Sequence, residues 1–321
     1  MTTTTYTCPY CRKESAAADS ACPWCGAPVD IRLRTTAGGW IDLPPIADMT
    51  RLQAGRSSVQ IEGSITAVAD WNLAAGEGLF FPHHTLLWQE PSVQLSNLPL
   101  SKPWTRHRAG LPMFMAQASG PGRAAFSHDT PGEIIALPIQ PGEAIDVCEH
   151  RLLVATQGIT YDWYESGVWY STSGRNSADI GAGAGLLKMG LELAGNDREE
   201  RAEETRWHYP MGQYLDRFIA GNQPGLVMIA AGGNAYMRDL AEGESLLVKP
   251  PALLFKDPTV AVQLHVEYPR SGIQFWRSWG NRYLWLRVWG PGRIGIESCY
   301  LADADPGTDF GAVSQSTQQM W

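Results

Sequence analysis

The chain has 321 residues, of which 44% are hydrophobic and only 18% charged, enough apolar material for about two domains or one large β body. Its formal net charge of −8 sets an acidic surface against phosphate backbones, which disfavours a general nucleic-acid binder. No apolar run reaches the ~18 residues of a spanning helix, and "MTTTTYTC" lacks the basic-then-apolar order of a signal peptide. The expectation is a soluble cytoplasmic protein, with peripheral membrane association left open.

The chain opens with "CPYCRKESAAADSACPWC". Cys8 and Cys11 bracket Pro-Tyr, Cys22 and Cys25 bracket Pro-Trp, and ten residues separate the pairs. A Cys-x-x-Cys turn puts two thiolates on one side of a tight loop, at two corners of a tetrahedron. Gly26 follows where such a knuckle needs a positive φ. Disulfides need an oxidising compartment, and a redox dithiol would open a helix in a βαβ unit that is missing here. The reading is a zinc ribbon over 1–30 with one structural zinc ion. So short a segment has no core of its own, so the metal supplies its folding energy. Cys148 and Cys299 lie in apolar stretches and read as buried thiols.

Residues 31–57 mix Gly, Pro and polar residues and read as a linker that docks through Trp40, Ile41 and Leu43. The body expected over 58–300 then repeats itself. "LAAGEGLFFPHHTLLW", "IQPGEAIDVCEHRLLV" and "LAEGESLLVKPPALLF" align without a gap around Glu77, Glu143 and Glu244. Each reads as strand, glycine turn, strand, with the glutamate either accepting turn N–H groups or exposed. "GPGRAAFS" and "GPGRIGIES" form a second repeated element, with "QPGLVMIA" a looser relative. Pro-Gly signals a turn, so these read as hairpins. Residues 165–206 read as an insertion, a loop followed by a helix over "LLKMGLELAGNDREERAEETRW". The polar tail at 301–321 reads as disordered.

The Leu-x-x-Gly-Glu turns, the internal "GPGR" and the late "WGPGRIGIES" resemble the altered inheritance of mitochondria protein 24 family over about Ser58 to Tyr300. The resemblance implies an all-β fold of three similar β-sandwich units. Each would be a shortened double-stranded β-helix, similar to the unit of the tryptophan-binding RNA-attenuation protein. The family has no established enzymatic activity, so no catalytic residue carries over.

The residues offer no catalytic constellation. His83 and His84 are adjacent, so on a strand they would point to opposite faces, and "PHHTLLWQE" departs from a cupin metal pattern. "GAGAG" reads as a spacer rather than a phosphate loop. In "WLRVW", Trp285, Arg287 and Trp289 share one strand face, suited to stacking on a base, a ring or another aromatic, with packing against the inserted helix or a neighbouring subunit as the plainer reading. The reading that follows is a noncatalytic scaffold or protein-interaction module with unidentified protein partners. A small-ligand sensor or cupin-like enzyme with a pocket in the body is one alternative, and an RNA-binding protein the other. A homo-oligomer also stays open. One further expectation concerns closure. With a Pro-Gly element read before each Gly-Glu turn, the first unit lacks one, so the C-terminal "LWLRVWGPGRIGIES" should pair near Val59 to Glu62 and close the three units into a ring, the alternative being a strand donated by a neighbouring subunit.

Overall fold

The computed structural model describes residues 5–8, 13–16, 21–27, 38, 40–43, 51–63, 65–101, 103–108, 113–129, 131–174, 204–267, 283–300 and 313–315. The chain is all-β, built from antiparallel sheets. The described body consists of three units of six strands each. The first unit holds Val68–Leu73, Gly78–Phe81, Leu86–Gln89, Gln94–Pro99, Phe114–Ser119 and Gly122–Ser127. The second holds Gly132–Ile139, Ala144–Cys148, Leu152–Thr156, Ile159–Glu165, Tyr214–Ala220 and Gly225–Gly232. The third holds Ala235–Leu240, Ser245–Val248, Leu253–Lys256, Ala261–Glu267, Tyr283–Trp289 and Gly292–Glu297.

In every unit the fifth strand lies between the second and fourth, and the sixth between the first and third. Alternation turns one face of each three-stranded sheet inward. In the first unit Phe81 of one sheet meets Phe126 of the other edge-to-face, with ring centroids 4.7 Å apart. The Gly-Glu turn joins the first strand to the second, and the Pro-Gly turn joins the fifth to the sixth. Both pairs of strands belong to different sheets, so these turns are corners between layers. The expected Pro-Gly hairpins are corrected accordingly. The two corners bond to each other in all three units: Gly120, Ala220 and Gly290 donate backbone N–H to the carbonyls of Glu77, Glu143 and Glu244. Gly76, Gly142 and Gly243 hold φ near +80° there (78°, 81° and 76°), open to glycine at no steric cost.

Adjacent units join by one repeated device. The third strand of the second unit pairs with the second strand of the first, Ala155 opposite Phe80. The third strand of the third unit pairs with the second strand of the second, Lys256 opposite Asp146. These pairs fuse half-units into a six-stranded and a seven-stranded sheet. Three hydrophobic clusters fill the body, and each draws on adjacent units.

Ring closure by the C-terminal segment does not occur among the described residues. Tyr283–Trp289 and Gly292–Glu297 pair within the third unit. Ser57–Glu62 instead pairs with Val68–Leu73 and with Arg51–Ala54. The first unit lacks nothing, because Phe114–Ser119 and its Pro-Gly corner belong to it and follow its Gly-Glu turn. The stretch expected to be a linker carries strands: Arg51–Ala54 extends the first unit, and Ile41–Leu43 adds an edge to the seven-stranded sheet. In the stretch expected to be an insertion, Tyr170–Gly174 pairs with Glu204–His208. Val313–Gln315, in the tail expected to be disordered, pairs with Tyr170–Gly174 as well. Of the helix expected over 186–207, residues 186–203 lie outside the described residues, while its end at 204–207 is strand, held by pairing with Tyr170–Gly174. No described helix is long and apolar enough to cross a membrane.

Candidate functional site

The N-terminal knuckles bring three sulfurs together. Thr5–Thr7 pairs with Glu14–Ala16, which folds Cys8 back beside the second knuckle. There Gly26 adopts φ +75°, as the sequence demands, and its N–H bonds the carbonyl of Cys22 at 2.8 Å. The Sγ atoms of Cys8, Cys22 and Cys25 lie within 4.8 Å of one another, and all three residues are buried. Cys8 Sγ and Cys25 Sγ are 3.6 Å apart, far beyond the ~2.05 Å of a disulfide. That spacing suits thiolates sharing one ion as tetrahedral ligands. Trp24 braces the pair of knuckles: its Nε1–H donates to the Glu14 carbonyl, and Lys13 Nζ lies over its ring. Cys11 lies outside the described residues. Cys148 is buried, which pushes its thiol up to about 12 and leaves it inert. Cys299 is exposed, contrary to expectation, because it sits in a bend beyond the end of its strand.

A buried ionic cluster marks the joint between the second and third units. Asp146 is fully buried and opposes Lys256 across it. Arg217 Nε and Nη2 donate to Asp146 at 2.6 and 2.9 Å, Lys256 Nζ at 3.0 Å and the Tyr164 hydroxyl at 2.6 Å. Burial alone would raise the Asp146 pKa, but the Arg217 hydrogen bonds and the Lys256 charge hold it below the ordinary carboxylate range. A cavity of about 250 Å³ adjoins these residues, bounded also by Met211 and Val260. Asp216, the residue before Arg217 on its strand, accepts from Tyr161 at 2.7 Å, and burial pushes it up to about 6.

Trp285, Arg287 and Trp289 do share one face. Leu286 and Val288 between them are buried, while Arg287 is exposed. The Arg287 guanidinium lies 5.2 Å from the Trp289 ring, Lys249 Nζ lies 4.8 Å from the Trp285 ring, and Trp285 Nε1–H donates to Glu267. Counting back from the corner donors Ala220 and Gly290, these three residues occupy the places of Leu215, Arg217 and Ile219 in the second unit. The register agrees, since Arg217 opposes Asp146 and Arg287 opposes Leu247. Sequence reasoning found the face but missed this equivalence, because it placed the Pro-Gly element at the start of a unit instead of its end.

A cleft of about 580 Å³ opens between the first and second units, near Trp71, Glu77, Gln157 and Pro224. Trp71 is fully buried, and its Nε1 has no hydrogen-bond partner among the described residues. Glu77 there accepts from the Arg56 N–H at 2.8 Å and from the Ser57 hydroxyl. His83 and His84 lie on a short 3₁₀ turn, His83–Thr85, not on a strand, with ring centroids 5.8 Å apart. Among the described residues the cysteine cluster alone meets the spacing for a metal.

The profile of the family described as "Mitochondrial biogenesis AIM24" matches residues 59–299. The crystal structure of protein SPYM3_0169 from Streptococcus pyogenes is similar in fold, with a TM-score of 0.50 and 15% sequence identity. The match covers 77% of this chain and 95% of that one. No curated protein matches the chain.

Proposed function

This chain belongs to the AIM24 family, and on that premise we propose that it is a noncatalytic scaffold whose third unit carries a protein-interaction surface. The observation that carries the reading is the Trp285–Arg287–Trp289 face. It sets two half-buried rings beside an exposed cation on one strand face, the residue types that dominate protein interfaces. Its counterpart in the second unit already makes a protein interface, with the third unit. The ionisable groups favour the same reading. Asp146, Arg217, Lys256 and Tyr164 hold one another within the fold. The knuckles serve as a structural zinc site, with Cys11 completing the set that Cys8, Cys22 and Cys25 begin. All four positions taken by protein leave no open coordination site for catalysis.

Affinity capture from the native host tests the scaffold role. The tagged chain should retain other proteins, and Arg287→Glu should lose them while keeping its thermal melt. Retention of an unchanged set by the variant, or of nothing by the parent, would contradict the role.

A further inference from the structure

Among the described residues, two of the strands that the repeated joint would use lack a partner on that side, and they are complementary. Leu86–Gln89 is the third strand of the first unit. Its equivalents, Leu152–Thr156 and Leu253–Lys256, each pair with a preceding unit. Ser245–Val248 is the second strand of the third unit. Its equivalents, Gly78–Phe81 and Ala144–Cys148, each pair with a following unit. Among the described residues, Leu86–Gln89 and Ser245–Val248 each pair on one side only and end their sheets.

Burial follows the same pattern. Leu153 and Val154 in the second unit, and Leu254 and Phe255 in the third, are 0% exposed. Leu87 and Trp88, their counterparts in the first unit, are 58% and 42% exposed. Phe80 in the first unit is buried and stacks on Phe218 of the second, with ring centroids 6.3 Å apart. Leu247, the counterpart of Phe80 and Asp146, is 42% exposed.

We infer that the first-unit edge of one copy of this chain receives the third-unit edge of another, so that copies associate head to tail. The inference rests on the scaffold reading above and names its partner as a second copy. The argument is continuity with an interface built twice within the chain. Both internal joints share one register, Ala155 opposite Phe80 and Lys256 opposite Asp146. The same register sets Gln89 opposite Leu247 and Trp88 opposite Val248. It also lines up Arg287, Leu247 and Gln89 in one row across three strands, as Arg217, Asp146 and Lys256 line up at the second joint. The Trp285–Arg287–Trp289 face would then be covered as Leu215 and Arg217 are. An edge strand with exposed apolar side chains is a template for such pairing. The contact joins two different surfaces, so it is heterologous and generates a ring or an open array rather than an isologous dimer.

Light scattering on the purified full chain across a wide concentration range tests the inference, with variants Leu87→Lys and Leu247→Lys. The parent should exceed one chain mass and grow with concentration. Each variant alone should be monomeric, because one edge is blocked in every copy. Mixed one to one, they should give twice the chain mass and nothing larger, since each supplies the edge the other lacks. That complex also shows that both variants fold. A parent that stays monomeric throughout overturns the inference, as would a mixture that stays monomeric. If the chain is monomeric yet retains other proteins by affinity capture, the head-to-tail contact fails and the scaffold reading stands.

Discussion

Asp146 shows how much one side chain carries at a joint. It is the acceptor for Arg217, Lys256 and Tyr164, and it binds the second unit to the third. Asp146→Asn leaves two cations without their counter-charge in a buried site, a loss of about 3–5 kcal/mol. Chemical unfolding at neutral pH measures it. The pH dependence has a definite sign. The folded pKa is depressed, so the stabilisation is fully present above the unfolded value of ~3.9 and disappears as pH falls through the lower folded value. The parent should therefore lose stability through that acid window more steeply than the variant does. The first joint reaches the same end without charge, with Phe80 and Ala155 at the equivalent positions. Nothing in the run "AIDVC" announces that Asp146 faces a neighbouring unit. Alternation marks it only as the polar member of a half-buried strand, and its partners lie up to 110 residues away.

At the scale of elements, the two corner types were legible and their partners were not. Leu-x-x-Gly-Glu recurs because a left-handed glycine and a capping acid suit one tight turn. The Glu143 and Glu244 carboxylates each accept the N–H three residues earlier, both at 2.9 Å. Glu77 departs from its siblings because Ser57 and Arg56 draw it outward. Local composition sets the turn but not which strand lies alongside, so both corners read as simple hairpins. The cysteine knuckles are the most local element, and their spacing was legible in the sequence. Three of their four cysteines converge. Cys22→Ser should abolish stoichiometric zinc in elemental analysis of the purified protein and release the knuckles to proteolysis. The main thermal transition should persist, because the body has its own core. Zinc retained at one ion per chain in that variant would contradict the ligand set.

At the scale of the molecule, three copies of one six-strand unit account for the body, and their number was readable from the spacing of Glu77, Glu143 and Glu244. Their phase was not. A repeat in a linear chain has no marked beginning, so "MFMAQASGPG" could be assigned to the unit before or after it. The wrong choice left the first unit apparently short of a strand and suggested an internal ring. With the correct phase every unit is complete, and among the described residues two strands that the repeated joint would use are left without that partner. Hydrogen–deuterium exchange on the dilute full chain examines that conclusion most directly. Amides of Leu152–Thr156, Leu253–Lys256 and Ala144–Cys148 should be protected. Those of Leu86–Gln89 and Ser245–Val248 that face away from their one partner strand should exchange quickly and gain protection as concentration rises. Equal, concentration-independent protection of all five strands would show that the units close on themselves within one chain, and would contradict the account.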